Sequence, residues 1–123
     1  MFDYPHRPKP DTQPQRFRLR FGSARPLIVD LEGFGWLLVG RKTEQGDSEG
    51  LGVDLTPYGG VEHGVSRNHA AFSYTDGQIY VEDLGSTSGT RLNGLTLHPS
   101  QKYRLRHNDE LEFGSVRAVV LLH

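Results

Sequence analysis

No stretch of about twelve residues in this chain keeps a helical apolar period, while short apolar or alternating runs recur between turn formers. Arg16-Phe17-Arg18-Leu19-Arg20-Phe21 alternates strictly. That pattern sends Phe17, Leu19 and Phe21 to a buried face and leaves three arginines in solvent. Leu27 to Leu31 and Trp36 to Val39 follow as two strands that a hairpin through Glu32-Gly33-Phe34-Gly35 could join. Ala70 to Tyr74 and Ile79 to Val81 flank an Asp76-Gly77 pair, the strongest hairpin signal in the chain. Thr90 to Leu92, Leu95 to Leu97, Tyr103 to Leu105, Leu111 to Phe113 and Val116 to Leu122 complete the series. Strands this short at this spacing indicate an all-β sandwich or barrel. Trp36 and the phenylalanines are expected in its core.

Length and charge narrow what such a fold can do. A chain of 123 residues supports one core. Met1 to Gln15 carries Pro5, Pro8, Pro10 and Pro14 among polar residues and is expected to be a disordered or polyproline-like arm, with the domain spanning 16–123. Lys plus Arg number 14 and Asp plus Glu 15, a net charge of −1, so no overall field favours nucleic acid or an anionic membrane. The chain has no cysteine, which excludes disulfide and thiol chemistry and fits a reducing compartment. Neither a signal peptide nor a membrane-spanning run is visible, and a cytoplasmic protein is expected. The six histidines show no zinc-ligand spacing, so no metal or other cofactor is expected.

Polar chemistry concentrates between Gly64 and Gly94. Ser66-Arg67-Asn68-His69 precedes the hairpin, and Leu84-Gly85-Ser86-Thr87-Ser88-Gly89-Thr90 and Asn93-Gly94 follow it. Hydroxyls, amides and guanidinium groups on glycine-rich turns are the material of a small anion site. Gly40-Arg41 closes the Trp36 run and adds a second guanidinium. Ser66, three residues before His69 and with Asp83 downstream, suggests a nucleophile and its base. No Gly-x-Ser-x-Gly elbow opens a helix here, however, so no catalytic residue is assigned.

Gly40-Arg41, Ser66-x-x-His69, the Gly85-to-Thr90 turn and Asn93-Gly94, in this order, resemble the forkhead-associated (FHA) domain over Phe17 to about Leu122. The resemblance implies a sandwich of about eleven strands with a phosphothreonine site on loops at one end. Arg41, Ser66 and Arg67 would then hold the phosphate, which brings about −1.5 to −2 charges and three acceptor oxygens. Thr87 would line the site and Ser88 would meet the peptide backbone. Ser88 departs from the family's usual asparagine, and a hydroxyl cannot offer donor and acceptor from separate atoms, so weaker peptide clamping is expected. Gly40, His69, Gly85, Gly89 and Asn93 would organise the loops, His69 by packing and hydrogen bonding. The implied function is a non-catalytic module that recognises a phosphothreonine segment of a partner protein, downstream of a Ser/Thr kinase. Partner choice would lie in Lys42–Gly52 and Thr56–Val65, whose acidic residues suggest tolerance for basic flanks. The alternative is a phosphate-independent scaffold of the same fold. Self-interaction through phosphorylated Thr12 is a further expectation.

Overall fold

The computed structural model describes residues 12–47 and 50–122. Its eleven strands are β1 (Arg16–Arg20), β2 (Leu27–Asp30), β3 (Trp36–Gly40), β4 (Leu51–Asp54), β5 (Ala70–Thr75), β6 (Gln78–Asp83), β7 (Thr90–Leu92), β8 (Leu95–Thr96), β9 (Tyr103–Arg104), β10 (Glu110–Phe113) and β11 (Val116–Leu121). They form a six-stranded sheet in the order β2-β1-β11-β10-β7-β8 and a five-stranded sheet in the order β4-β3-β5-β6-β9. The expected all-β sandwich is what the chain forms. Its named strand pairs are antiparallel except β3 with β4, which run parallel across a register shift at Leu38/Val39.

Alternation places the core. Phe17 and Leu19 of β1 are buried while Arg16, Arg18 and Arg20 face water. Phe17 meets Phe72 of the other sheet edge to face at 5.2 Å, and Phe72 meets Phe113 in the same way at 6.2 Å. This chain of rings crosses between the sheets twice. Each buried phenylalanine contributes about 1.5–3 kcal/mol by leaving water. The β5–β6 turn takes positive φ at both Asp76 and Gly77 (52° and 77°), the twist a tight hairpin needs.

Three expectations are corrected. β2 and β3 are not a hairpin: β2 pairs with β1, and β3 pairs with β4 and β5 in the other sheet. Gly33 and Gly35, both at positive φ, carry the chain across. Trp36 is 44% exposed, because Val39 sets the inward parity of β3 and leaves Trp36 facing outward, and Phe34, in the turn before β3, is 79% exposed. The arm expected over 1–15 lies outside the described residues as far as 11, and its last residues belong to the domain. Gln13 is buried. Its amide donates to Leu105 O at 2.6 Å and accepts from Ile79 N at 2.6 Å. Its backbone N donates to Gly77 O at 2.7 Å, and its carbonyl accepts from the Tyr74 hydroxyl at 2.7 Å.

Candidate functional site

The β3–β4, β4–β5 and β6–β7 loops meet at one end of the sandwich. Their approach depends on Gly40, where an added Cβ would overlap the Arg67 carbonyl, so only glycine lets the Ser66–Arg67 backbone pass this close. The neighbouring Arg41 side chain is fixed rather than free. Its Nε donates to Val65 O at 2.7 Å and its Nη1 to Lys42 O at 3.0 Å. Five guanidinium N–H groups less these two leave three for a ligand. Ser66 Oγ accepts from Thr87 N at 3.2 Å, tying the second loop to the third and leaving its hydroxyl hydrogen available. Arg67 is exposed. These groups border a cleft of about 480 Å³ that also takes in Thr43, Asp47, Leu51 and Asn68.

Beneath the cleft, two buried residues fasten the loops. The His69 imidazole is fully buried and meets the Phe113 ring in a T-shaped contact, centroids 5.9 Å apart. Nδ1 accepts from Ser66 N at 2.9 Å, which requires the proton on Nε2, where it is donated to Gly89 O at 2.9 Å. Burial pushes the pKa of His69 below 6.5, outweighing the opposing pull of the Gly89 carbonyl and the Asp83 charge. A neutral imidazole therefore links the second loop to the third. Asp83, at the end of β6, is the second fastening. One carboxylate oxygen accepts from Gly85 N at 2.9 Å and Ser86 N at 3.1 Å. The other accepts from Ser86 Oγ at 2.5 Å and Thr90 Oγ1 at 2.7 Å. Burial alone would raise the Asp83 carboxyl, but these four donors outweigh it and hold the group below the ordinary 3.8. Ser86 Oγ also accepts from Gly89 N at 3.0 Å, which closes the turn.

The Ser66, His69 and Asp83 side chains form no relay. Ser66 meets the imidazole through its backbone N–H, and the Asp83 oxygens are engaged by its own turn. Of the residues singled out in the sequence, Arg41, Ser66, Arg67, Thr87 and Gly85 border the cleft. Gly40, His69 and Gly89 sit under it through the contacts above. Ser88 is exposed and lies outside that lining, its side chain against Gly64, where an added Cβ would stand 2.7 Å from Ser88 Oγ. Asn93 organises a different end: Nδ2 donates to Asp109 Oδ1 at 3.0 Å and Oδ1 accepts from Glu110 N at 2.8 Å. Thr12 is exposed beside Gly77, also away from the cleft. The six-residue strands β5 and β6, about 20 Å long, separate it from Ser66. A fold-back of Thr12 within one chain would have to release Gln13. The sequence shows Asp47 as one of the acidic residues of the Lys42–Gly52 loop but not its place in the lining, and gives no sign of Asn68 there or of Asp83 as the fastening. An aspartate two residues before Gly85, with Ser86 next, was the available sign of an Asx turn.

The matches to known proteins fit this architecture. The family model of the FHA domain covers residues 37–114, more than half of the chain. Smad nuclear-interacting protein 1 of Mus musculus is 40% identical over 78 residues, 51% of this chain and 20% of that protein. Protein FraH of Nostoc sp. is 37% identical over 70 residues, 57% of this chain and 24% of that protein. The chain thus spans a quarter or less of these relatives' length. Among solved structures, an FHA domain from Chlamydia trachomatis superposes with a TM-score of 0.64 at 22% identity, covering 88% of this chain and 98% of its own. The MEK1 FHA domain, in complex with a phosphothreonine peptide of HOP1, superposes with a TM-score of 0.63 at 28% identity, covering 87% and 96%. This chain belongs to the FHA domain family.

Proposed function

We propose that the chain is a non-catalytic module that docks a phosphothreonine-containing segment of a partner protein, written by a Ser/Thr kinase, in the cleft at Arg41. The carrying observation is the state of Arg41: two backbone carbonyls orient the guanidinium, and three of its N–H groups remain for an anion. Ser66 and Arg67 supply the further donors that a phosphate with three acceptor oxygens uses. Thr87 borders the same space, and Leu51 is the aliphatic side chain in its lining. The MEK1 relative's phosphothreonine peptide supports the same class of ligand.

The test is a binding titration with peptide libraries centred on phosphothreonine, phosphoserine and threonine, run on the chain and on Arg41→Ala. Phosphothreonine peptides should bind, phosphoserine peptides about tenfold or more weaker for want of the methyl group, and threonine peptides not measurably. Glutamate in place of phosphothreonine should fail, having less charge and one oxygen fewer. Arg41→Ala should weaken binding by about a hundredfold or more, since it strips a phosphate of its oriented charged donor. Equal binding of threonine and phosphothreonine peptides by the folded protein would instead identify a phosphate-independent scaffold.

A further inference from the structure

The outer face of the six-stranded sheet carries its charges unevenly. Outward positions put Arg16, Arg18 and Arg20 on β1, Arg117 on β11 and Arg91 on β7, against Asp30 on β2 and Glu110 and Glu112 on β10. Two of the carboxylates are already engaged. Asp30 accepts from Arg16 Nη2 at 3.0 Å, and Glu112 takes Arg91 in a fork at 3.0 and 3.4 Å. Arg117 reaches that same occupied Glu112, Nε to Oε2 at 3.4 Å, with its own side chain 82% exposed. Arg18 and Arg20 are exposed and have no acidic partner among the described residues. Glu110 does not serve them: Val119 stands between it and Arg20 in the register, a separation of two strand spacings or about 9.5 Å.

Apolar ground lies beside these guanidinium groups. Val119 pairs with Arg20 and Leu121 with Arg18, and on the other side of Arg18 stands Ile28, 62% exposed. A hollow of about 360 Å³ takes in Arg20, Arg117 and Val119, and another of about 200 Å³ takes in Arg18, Ile28 and Leu121. Guanidinium groups without carboxylates, set among aliphatic side chains, are complemented by a ligand that is both acidic and aliphatic. Arg18 and Arg20 lie two residues apart on one strand, about 6.6 Å, which is also the step between alternate residues of an extended segment. We infer that this face docks an extended acidic segment of a partner protein, with carboxylates on Arg18, Arg20 and Arg117 and aliphatic side chains against Val119, Leu121 and Ile28. Nucleic acid fits the face less well. No aromatic ring stands at the outward positions of these strands to stack a base, and Asp30, Glu110 and Glu112 repel a phosphate backbone. The surface is separate from the cleft, none of whose lining residues belongs to this sheet, so the inference does not rest on the phosphothreonine reading.

The experiment titrates the full chain with a fluorescent peptide bearing glutamate at every second position and leucine or serine between. A peptide with lysine in place of glutamate and a single-stranded RNA oligonucleotide of matched length are run beside it. The glutamate peptide should bind, more weakly as salt is raised, the lysine peptide should not, and the RNA should bind less well than the glutamate peptide. Arg18→Glu combined with Arg20→Glu should weaken glutamate-peptide binding by about fivefold or more. The same double variant should let the lysine peptide bind, a reversal that loss of structure would not produce. Failure of the glutamate peptide to bind overturns the inference, and so does RNA binding as tight or tighter. Glutamate-peptide binding that survives the double variant but is lost in Arg41→Ala would place the acidic ligand in the cleft, and likewise overturns it.

Discussion

The two ends of the sandwich use similar residues and finish differently. At the end holding the Asp76-Gly77 and Asn93-Gly94 turns, Gln13 and Asn93 spend their hydrogen bonds inside the chain. The Gln13 amide is engaged at both its oxygen and its nitrogen, and Asn93 bridges Asp109 and Glu110. At the cleft end, His69 and Asp83 are equally satisfied. Above them, however, lies a layer of donors not consumed inside the chain: three N–H groups of Arg41 and the Ser66 hydroxyl hydrogen, on side chains tied to the loops, and the exposed Arg67 guanidinium. Both ends carry turns rich in glycine, serine, asparagine and aspartate. What separates a binding end from a merely closed one is the presence of oriented donors without internal acceptors.

The largest effect that would test this division comes from Asp83→Ala. It removes the acceptor of four donors, two of them backbone N–H groups that have little else to bond, and should cost about 2–4 kcal/mol of stability in urea unfolding. Phosphopeptide affinity should fall as well, because Thr87 and Ser86 are held by this turn. An Asp83→Ala protein with unchanged unfolding midpoint would show that the turn does not depend on its carboxylate.

Next in size is Gly40→Ala, with an expected loss of about 1–3 kcal/mol from overlap with the Arg67 backbone. Here the loop carrying Ser66 and Arg67 must shift outward, so phosphopeptide binding should suffer more than stability does. Gln13→Ala supplies the contrast at the opposite end. It should cost about 1–3 kcal/mol by leaving Ile79 N and Leu105 O without their partner, yet phosphopeptide affinity should hold at temperatures where the protein stays folded. Equal loss of binding in both variants would mean that the two ends are energetically one unit.

How much of this was legible beforehand depends on the range of the contact. β1 and the β5–β6 hairpin were readable because alternation and an Asp-Gly turn are local signals. The loops bearing Arg41, Ser66 and Thr87 could be placed at one end only through the family resemblance. Gln13 could not be read at all: its partner Leu105 lies 92 residues away and Tyr74 lies 61 away, so nothing around Thr12-Gln13 announces burial. The outward turn of Trp36 and the parting of β2 from β3 likewise follow from which strands pair, a tertiary choice that a run of apolar residues does not encode. Asp47 was visible as an acidic loop residue. Its place in the cleft was not, because the turn that brings it there, in which Thr43 N donates to Asp47 O at 2.8 Å, is a matter of backbone geometry.

The smallest predicted effect concerns pH, and it distinguishes the two fastenings of the cleft end. His69 is buried and neutral, with a pKa held below 6.5 by burial. Asp83 is buried and charged, with burial opposed and outweighed by its four donors, so its pKa lies below 3.8. Both folded values are depressed, so in each case the folded chain binds fewer protons than the unfolded one. Each contribution is full above the unfolded value and is lost as pH falls toward the folded one. The windows therefore separate. Stability of the unliganded chain should start to decline as pH drops below about 6.5, with His69 contributing at most about 1.4 kcal/mol per pH unit. The Asp83 contribution is lost only below about 3.8, in a distinct second step. Urea unfolding between about pH 7.5 and pH 5 on the chain and on His69→Gln would measure the first window, with the variant removing the contribution of this imidazole and retaining the other five histidines. The wild-type curve should fall more steeply than that of the variant. Parallel curves would mean that the imidazole accepts a proton in place, and that Ser66 N is not held by a neutral Nδ1.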